Sequence, residues 1–283
     1  MPRPHLTTLI VVIVLGAGVL HAVWNAITKH LSDRLMAFAM IGIAATLGGG
    51  LAVWLAGMPE PAAIPFAVAS AVIHVGYNLA LMNSYRLGAY NQAYPIARGT
   101  SPLLVALGAY FLANEHLGGL PLAGVVILAA GLMSLALSSG RLARTDLPVV
   151  AAAVLTGLTI ASYTIVDGLG VRYAHDPYGY SGLLFLLEGP TFPLIALFRR
   201  RPGGWRDGAT VKRGLLAGAL SLVAYGAVLW AQTRAPLAEV AAVRETSVIF
   251  AALIGMLFLR ERFGPRRLAA AIVIATGIVL ISA

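Results

Sequence analysis

Long apolar stretches alternate with short polar connections along the whole chain. Ten stretches are continuously apolar for about 20 residues, the length an α-helix needs to cross a hydrocarbon core of roughly 30 Å. They cover 6–28, 35–56, 62–85, 91–113, 119–138, 148–166, 178–198, 211–231, 238–259 and 265–282. The connections hold turn-forming residues: Gly57-Met58-Pro59-Glu60-Pro61, Gly118-Gly119, Asp176-Pro177, Arg201-Pro202-Gly203-Gly204 and Gly264-Pro265. Apolarity that is continuous rather than alternating excludes a β-barrel. The first stretch reads as a span and not a signal peptide, because no small-x-small site follows 15–20 and the repeat described below needs a helix there. The pattern predicts an all-α integral membrane protein with ten transmembrane helices, spans 1 to 10.

Composition agrees. Of 283 residues, 59% are hydrophobic and 11% charged, whereas soluble domains run near a quarter charged. The absence of cysteine excludes disulfides, thiolate metal sites and Cys nucleophiles. The net charge of +9 matters through its placement. Fifteen Lys and Arg residues lie in the odd-numbered connections, from Lys29 and Arg34 to Arg266 and Arg267; only Arg3, Arg172 and Arg234 lie on the other side. This bias predicts cytoplasmic odd connections and both termini outside, in a bacterial cytoplasmic (inner) membrane. The basic run 199–201 then faces anionic lipid, and no nucleic-acid partner is expected.

The chain also repeats itself. Shifted by 146 residues, 98–136 fall on 244–282 with eleven of 39 positions identical, among them Arg98/Arg244, Thr100/Thr246, Ser101/Ser247 and Glu115/Glu261. At a shift of 148, Tyr77 meets Tyr225 and Arg86 meets Arg234. Two five-helix halves follow, 1–140 and 146–283. Five is odd, so the second half enters the membrane from the opposite side, giving the inverted-topology repeat that many secondary transporters use for alternating access.

Two five-helix halves, His21-Ala22-Val23-Trp24-Asn25 near the end of span 1 with Lys29 after it, and Glu115 and Glu261 closing spans 4 and 9 ahead of a Gly-containing turn resemble the EamA family of the drug/metabolite transporter superfamily. The segment Ala161-Ser162-Tyr163-Thr164-Ile165-Val166-Asp167-Gly168 is similar to that family's span 6. The resemblance covers nearly the whole chain and implies a transporter without naming its substrate. Family members move amino acids, sugars, nucleotide-sugars, choline-like cations and drugs. The His-Ala-x-Trp-Asn form also resembles members found beside phosphonate-utilisation genes.

Polar side chains inside spans are costly and face a cavity or a partner. Stripes at helical spacing include His21, Trp24, Asn25 and Thr28 in span 1; His74, Tyr77, Asn78 and Tyr85 in span 3; Asn91, Tyr94, Arg98 and Ser101 in span 4. The second half adds Tyr163 in span 6, Glu188 in span 7, Ser221 and Tyr225 in span 8, and Arg244 and Glu245 in span 9. Spans 1, 3, 4 and 6–9 are therefore expected to surround a cavity, and the family resemblance implies span 2 as well. Spans 5 and 10, with Gly124, Gly131 and Gly277, are expected outside it as supports or as a homodimer surface; a monomer is the other expectation.

Arg98 and Arg244 are placed to grip a carboxylate or phosphonate, or to form a buried ion-pair network with Glu188 and Glu245. Trp24, Asn25, Tyr77, Asn78, Tyr94, Tyr163 and Tyr225 are the remaining substrate-binding candidates. Glu188, Glu245, His21 and His74 are the proton-coupling candidates. Glu115 and Glu261 read as structural. Pro95 and Pro102 are expected to bend span 4, leaving span 9, which has no proline, straighter.

No nucleotide, metal or hydrolase motif is present, so no cofactor, bound metal or catalytic residue is expected. The resulting expectation is a secondary transporter of a small anionic or zwitterionic metabolite, proton-coupled or an exchanger. The alternatives are an exporter of cationic or neutral metabolites or drugs, an intramembrane lipid-head-group enzyme, and a non-transporting subunit.

Overall fold

The computed structural model describes residues 6–29, 31, 33–87, 90–138, 147–199, 205, 207–259 and 264–283. Glu261 and the connections holding Arg141, Arg144, Arg200, Arg201, Arg206, Arg260 and Arg262 lie outside the described residues, as do the side chains of Lys29, Tyr85, Arg86 and Asn91.

Every element assigned among the described residues is helical. Span 1 is α1 (Thr8–Lys29), span 2 α2 (Arg34–Ala56), span 3 α3 (Ile64–Leu87), span 4 α4 (Tyr90–Leu112), span 5 α5 (Gly119–Ser138) and span 6 α6 (Leu147–Tyr173). Span 7 is broken into α7 (Pro177–Glu188) and α8 (Thr191–Phe198). Span 8 is α9 (Gly208–Gln232), span 9 is broken into α10 (Leu237–Arg244) and α11 (Ser247–Leu259), and span 10 is α12 (Pro265–Ile281). Among the described residues, seven of these crossings are long and apolar enough to span a membrane on length and composition alone.

Packing follows the repeat. Exchanging each span with the one five places on turns the α1–α9 contact into α6–α3, α4–α6 into α11–α1, and α2–α9 into α7–α3; all six are observed. The contacts α2–α7 and α5–α12 map onto themselves, so they straddle the pseudo-two-fold axis, and both cross on glycine. A Cβ on Gly49 would lie 2.6 Å from the Gly182 carbonyl oxygen, and one on Gly182 would lie 2.9 Å from that of Gly49. The corresponding distances for Gly124 and Gly277 are 2.6 and 2.8 Å. Only helices without a side chain at these points approach so closely. Gly124, Gly131 and Gly277 thus lie between α5 and α12 within one chain.

The two breaks have separate causes. Pro190 lacks an N–H, so one ladder bond is missing: α7 stops at Glu188 and the chain restarts at Thr191, although Gly189 and Pro190 keep right-handed helical backbone. In span 9 the ladder tightens: Glu245 N–H donates to Ala242 O (3.0 Å) and Thr246 N–H to Val243 O (3.1 Å), three residues back as in a 3₁₀ turn. The Thr246 hydroxyl also donates to Val243 O at 2.7 Å, competing with the regular ladder. The expected difference between spans 4 and 9 is therefore reversed. α4 continues through Pro95 and Pro102, while span 9 breaks without a proline.

Candidate functional site

The breaks sit where the two halves meet, beside a cavity of about 570 Å³. Its walls come from α1, α2, α3, α4, α6, α7, α8, α9 and α10; no residue of α5 or α12 lines it. Thr28 and Arg34, on either side of the first connection, mark one end, and His21, Tyr225 and Arg244 lie deep inside. Eleven of the thirteen residues singled out from the sequence line this space: His21, Trp24, Asn25, His74, Tyr77, Asn78, Arg98, Tyr163, Glu188, Tyr225 and Arg244. Tyr94 and Glu245 do not. They stand behind the arginines.

Glu245 is fully buried and holds both guanidiniums. Arg98 Nη1 lies 3.0 Å from each of its carboxylate oxygens, and Arg244 Nη2 lies 3.3 Å from Oε1. In an unbroken helix Arg244 and Glu245 would point about 100° apart; the 3₁₀ turn between them brings the side chains together. Arg98 is held further by the Tyr94 and Ser247 hydroxyls, each at 3.3 Å, and by His21 Nε2. Arginine has no acceptor, so His21 Nε2 accepts, and the imidazole is neutral with its hydrogen on Nδ1. The Asn25 amide donates back to His21 O at 2.8 Å.

This cluster has two guanidiniums and one carboxylate. Arg244 also stands 5.9 Å over the Tyr163 ring, a cation–π arrangement. Its Nε is buried without a hydrogen-bond partner among the described residues, as is Trp24 Nε1. Buried donors of this kind are rare.

Glu188 does not pair with either arginine. Its Oε2 is 3.8 Å from His74 Nδ1, and His74 stacks on Tyr163 at 4.0 Å between ring centroids. His74 Nδ1 is 3.0 Å from the Ser70 carbonyl. A carbonyl only accepts, so Nδ1 carries the hydrogen. The cavity therefore has a cationic pole at Arg98 and Arg244, a carboxylate at Glu188, and aromatic walls between.

α2 contributes an apolar wall including Ala37, Phe38 and Ile41, as the family resemblance implied although no polar stripe reveals it. One feature escaped the sequence reading. Asp167 is fully buried, accepting from the hydroxyls of Tyr180 (2.9 Å) and Tyr225. The apolar run ends span 6 at 166, yet α6 continues through Asp167 to Tyr173.

The end opposite Thr28 and Arg34 is tied shut. Glu115 Oε1 lies 2.7 Å from Arg172 Nη2, and Oε2 accepts from the Leu237 N–H at 2.8 Å, capping α10. Arg172 donates to Gln232 O (2.9 Å) and Ala235 O (3.0 Å) at the end of α9. Three connections meet in this clamp. For Glu115 this is a structural position.

Helices crossing a membrane in two inverted halves around a central polar cavity define a transporter architecture. The EamA-like transporter family matches residues 147–283. That half of the chain belongs to this family, and the protein is a multi-pass membrane transporter of the drug/metabolite type. A solved crystal structure is 18% identical and superposes with a TM-score of 0.76, over 96% of this chain and 95% of that one. At this identity the likeness is one of fold. No curated protein matches the chain.

Proposed function

We propose that the protein is a secondary active transporter moving a small metabolite with an anionic headgroup, an amino acid, phosphonate or similar solute, across the cytoplasmic membrane by alternating access. One observation carries the reading: the cavity ends at two guanidiniums that share a single carboxylate, and Arg244 Nε has no hydrogen-bond partner among the described residues. A carboxylate or phosphonate there completes the charge and takes the free donor, bidentately where geometry allows. Glu188, with Trp24, Tyr77 and Tyr163 around the same space, suits an ammonium group on that solute. The preferred substrate is thus zwitterionic.

Glu188 and His74 are the coupling groups in this reading, driven by a proton gradient or replaced by exchange. His21 serves Arg98 as an acceptor, and protonating it would set a cation against the guanidinium. With the basic connections in the cytoplasm, the cavity opens inward and the Glu115–Arg172 clamp closes the outside. Two halves of five helices, 1–140 and 146–283, then rock about the Gly49–Gly182 and Gly124–Gly277 crossings.

Thermal shift of the purified protein against amino acids, phosphonates, sugar phosphates, nucleosides and quaternary amines tests the binding claim. A ligand at a hundredfold its Kd stabilises by about 2.7 kcal/mol. Stabilisation by zwitterions or anions that disappears in Arg244→Ala supports the proposal. Hits confined to cations and lost in Glu188→Gln would turn it into an exporter of cationic metabolites or drugs.

A further inference from the structure

Asp167 takes no part in the binding cavity, yet it is fully buried and strapped from two sides. Tyr180 of α7 donates to Oδ1 and Tyr225 of α9 to Oδ2, while the Ser70 hydroxyl and His74 of α3 also face it. Two of the helices packed on this stretch of α6, α7 and α9, are therefore tied to one carboxyl, while α4 and α10 pack beside it through Gly108 on Ile165 and Leu237 on Gly168. The charged and titratable groups around it are Tyr163 from α6 itself, His74 from α3, Tyr180 from α7 and Tyr225 from α9. Glu188 of α7 lies 3.8 Å from His74 Nδ1.

Position gives this cluster a direction. Asp167 lies six residues from the end of α6, about 9 Å along the helix from the clamped end. Ser70 Oγ is 3.1 Å from His74 Nδ1, and Nδ1 is 3.8 Å from Glu188 at the cavity wall.

Both Asp167 oxygens already accept a phenol hydrogen. A proton added to either oxygen makes it a donor facing a phenol that is itself donating, so that phenol must turn its hydrogen away and the charge-assisted bond is lost. Protonation thus weakens a strap between α6 and α7 or between α6 and α9. Resting on the transporter reading above, we infer that Asp167 is a proton-binding site whose occupancy unlatches the clamped end. One proton from the aqueous phase on that side binds Asp167. When that proton leaves, the carboxylate and both straps are restored.

The chain has no cysteine, so a single reporter is clean. Ala63 is fully buried against Ala174 and Tyr180 at the clamped end. Ala63→Cys is labelled with a membrane-impermeant maleimide, each rate divided by that of the SDS-unfolded protein at the same pH. The Ala63→Cys background should label slowly at neutral pH and about tenfold faster or more on acidification, the order expected for loss of one charge-assisted hydrogen bond. Adding Asp167→Asn should give fast labelling at both pH values. Tyr180→Phe and Tyr225→Phe should move the rise to higher pH, and they carry the test if Asp167→Asn does not fold. A background rate independent of pH, a normal pH response in Asp167→Asn, or an unchanged response in both Phe variants overturns the inference. Labelling needs no substrate, so acid-triggered opening without flux counts against the transporter reading alone. Flux with pH-independent labelling counts against Asp167 alone.

Discussion

At the scale of single residues, the two arginines that the repeat makes equivalent have diverged in role. Arg98 holds both oxygens of Glu245 at 3.0 Å, whereas Arg244 touches one of them at 3.3 Å. Arg98→Ala strands a buried carboxylate and should lower stability by about 3–5 kcal/mol. Arg244→Ala leaves the Arg98–Glu245 pair intact, so its melting temperature should stay closer to wild type while ligand stabilisation is lost. Melting curves with and without a hit from the ligand screen separate the two. Asp207, outside the membrane at the start of α9, makes a pH prediction. Hydrogen bonds from the Thr210 hydroxyl, then from the Thr210 and Ala209 amides, hold its carboxyl below the usual carboxylate range. A lowered folded-state pKa means that its contribution is complete above the unfolded value and is lost as pH falls through the folded one. Melting temperature should therefore fall for this reason between about pH 5 and pH 2, and Asp207→Asn, an uncharged cap, should lack that part of the fall.

Elements show what apolar periodicity can and cannot reveal. Most span limits follow from where the apolar run ends, and α1, α2, α5 and α12 lie within about two residues of the expected ends. The breaks are different. Pro190 announces one, but the 3₁₀ turn at Glu245 and Thr246 arises from local competition for carbonyls and carries no compositional mark. Asp167 lies just past the end of an apolar run, and nothing in the sequence tells that Tyr180 and Tyr225 satisfy its carboxyl. Polar stripes located most of the cavity wall because a polar side chain in a span needs a reason to be there. The apolar α2 wall offered no such signal, and the stripes did not tell that Tyr94 and Glu245 stand behind the arginines instead of lining the cavity. The clamp makes its own prediction. Glu115→Gln keeps an acceptor for the Leu237 N–H and removes the ion pair with Arg172. It should cost on the order of 1 kcal/mol and speed labelling of Ala63→Cys.

For the whole molecule, the pseudo-two-fold axis organises both packing and cavity. The glycine crossings of α2 on α7 and of α5 on α12 are where the halves touch most intimately. Gly182→Val places its side chain against the Gly49 backbone and should destabilise by roughly 1–3 kcal/mol, read as a lowered melting temperature. Gly16→Val, where a Cβ meets nothing within 4 Å, should not. The repeat was legible because Arg, Glu, Thr and Ser recur at one offset inside apolar helices. Which way the cavity opens emerged only from the three-dimensional clamp. The central claim is that this cavity carries a small zwitterion or anion across the membrane through Arg244. Counterflow in proteoliposomes, using a labelled hit from the ligand screen and protein inserted at known orientation, tests it most directly. The account predicts saturable uptake that speeds up under an imposed pH gradient and is lost in folded Arg244→Ala. Uptake no faster than in empty liposomes, or unchanged in Arg244→Ala, would contradict it.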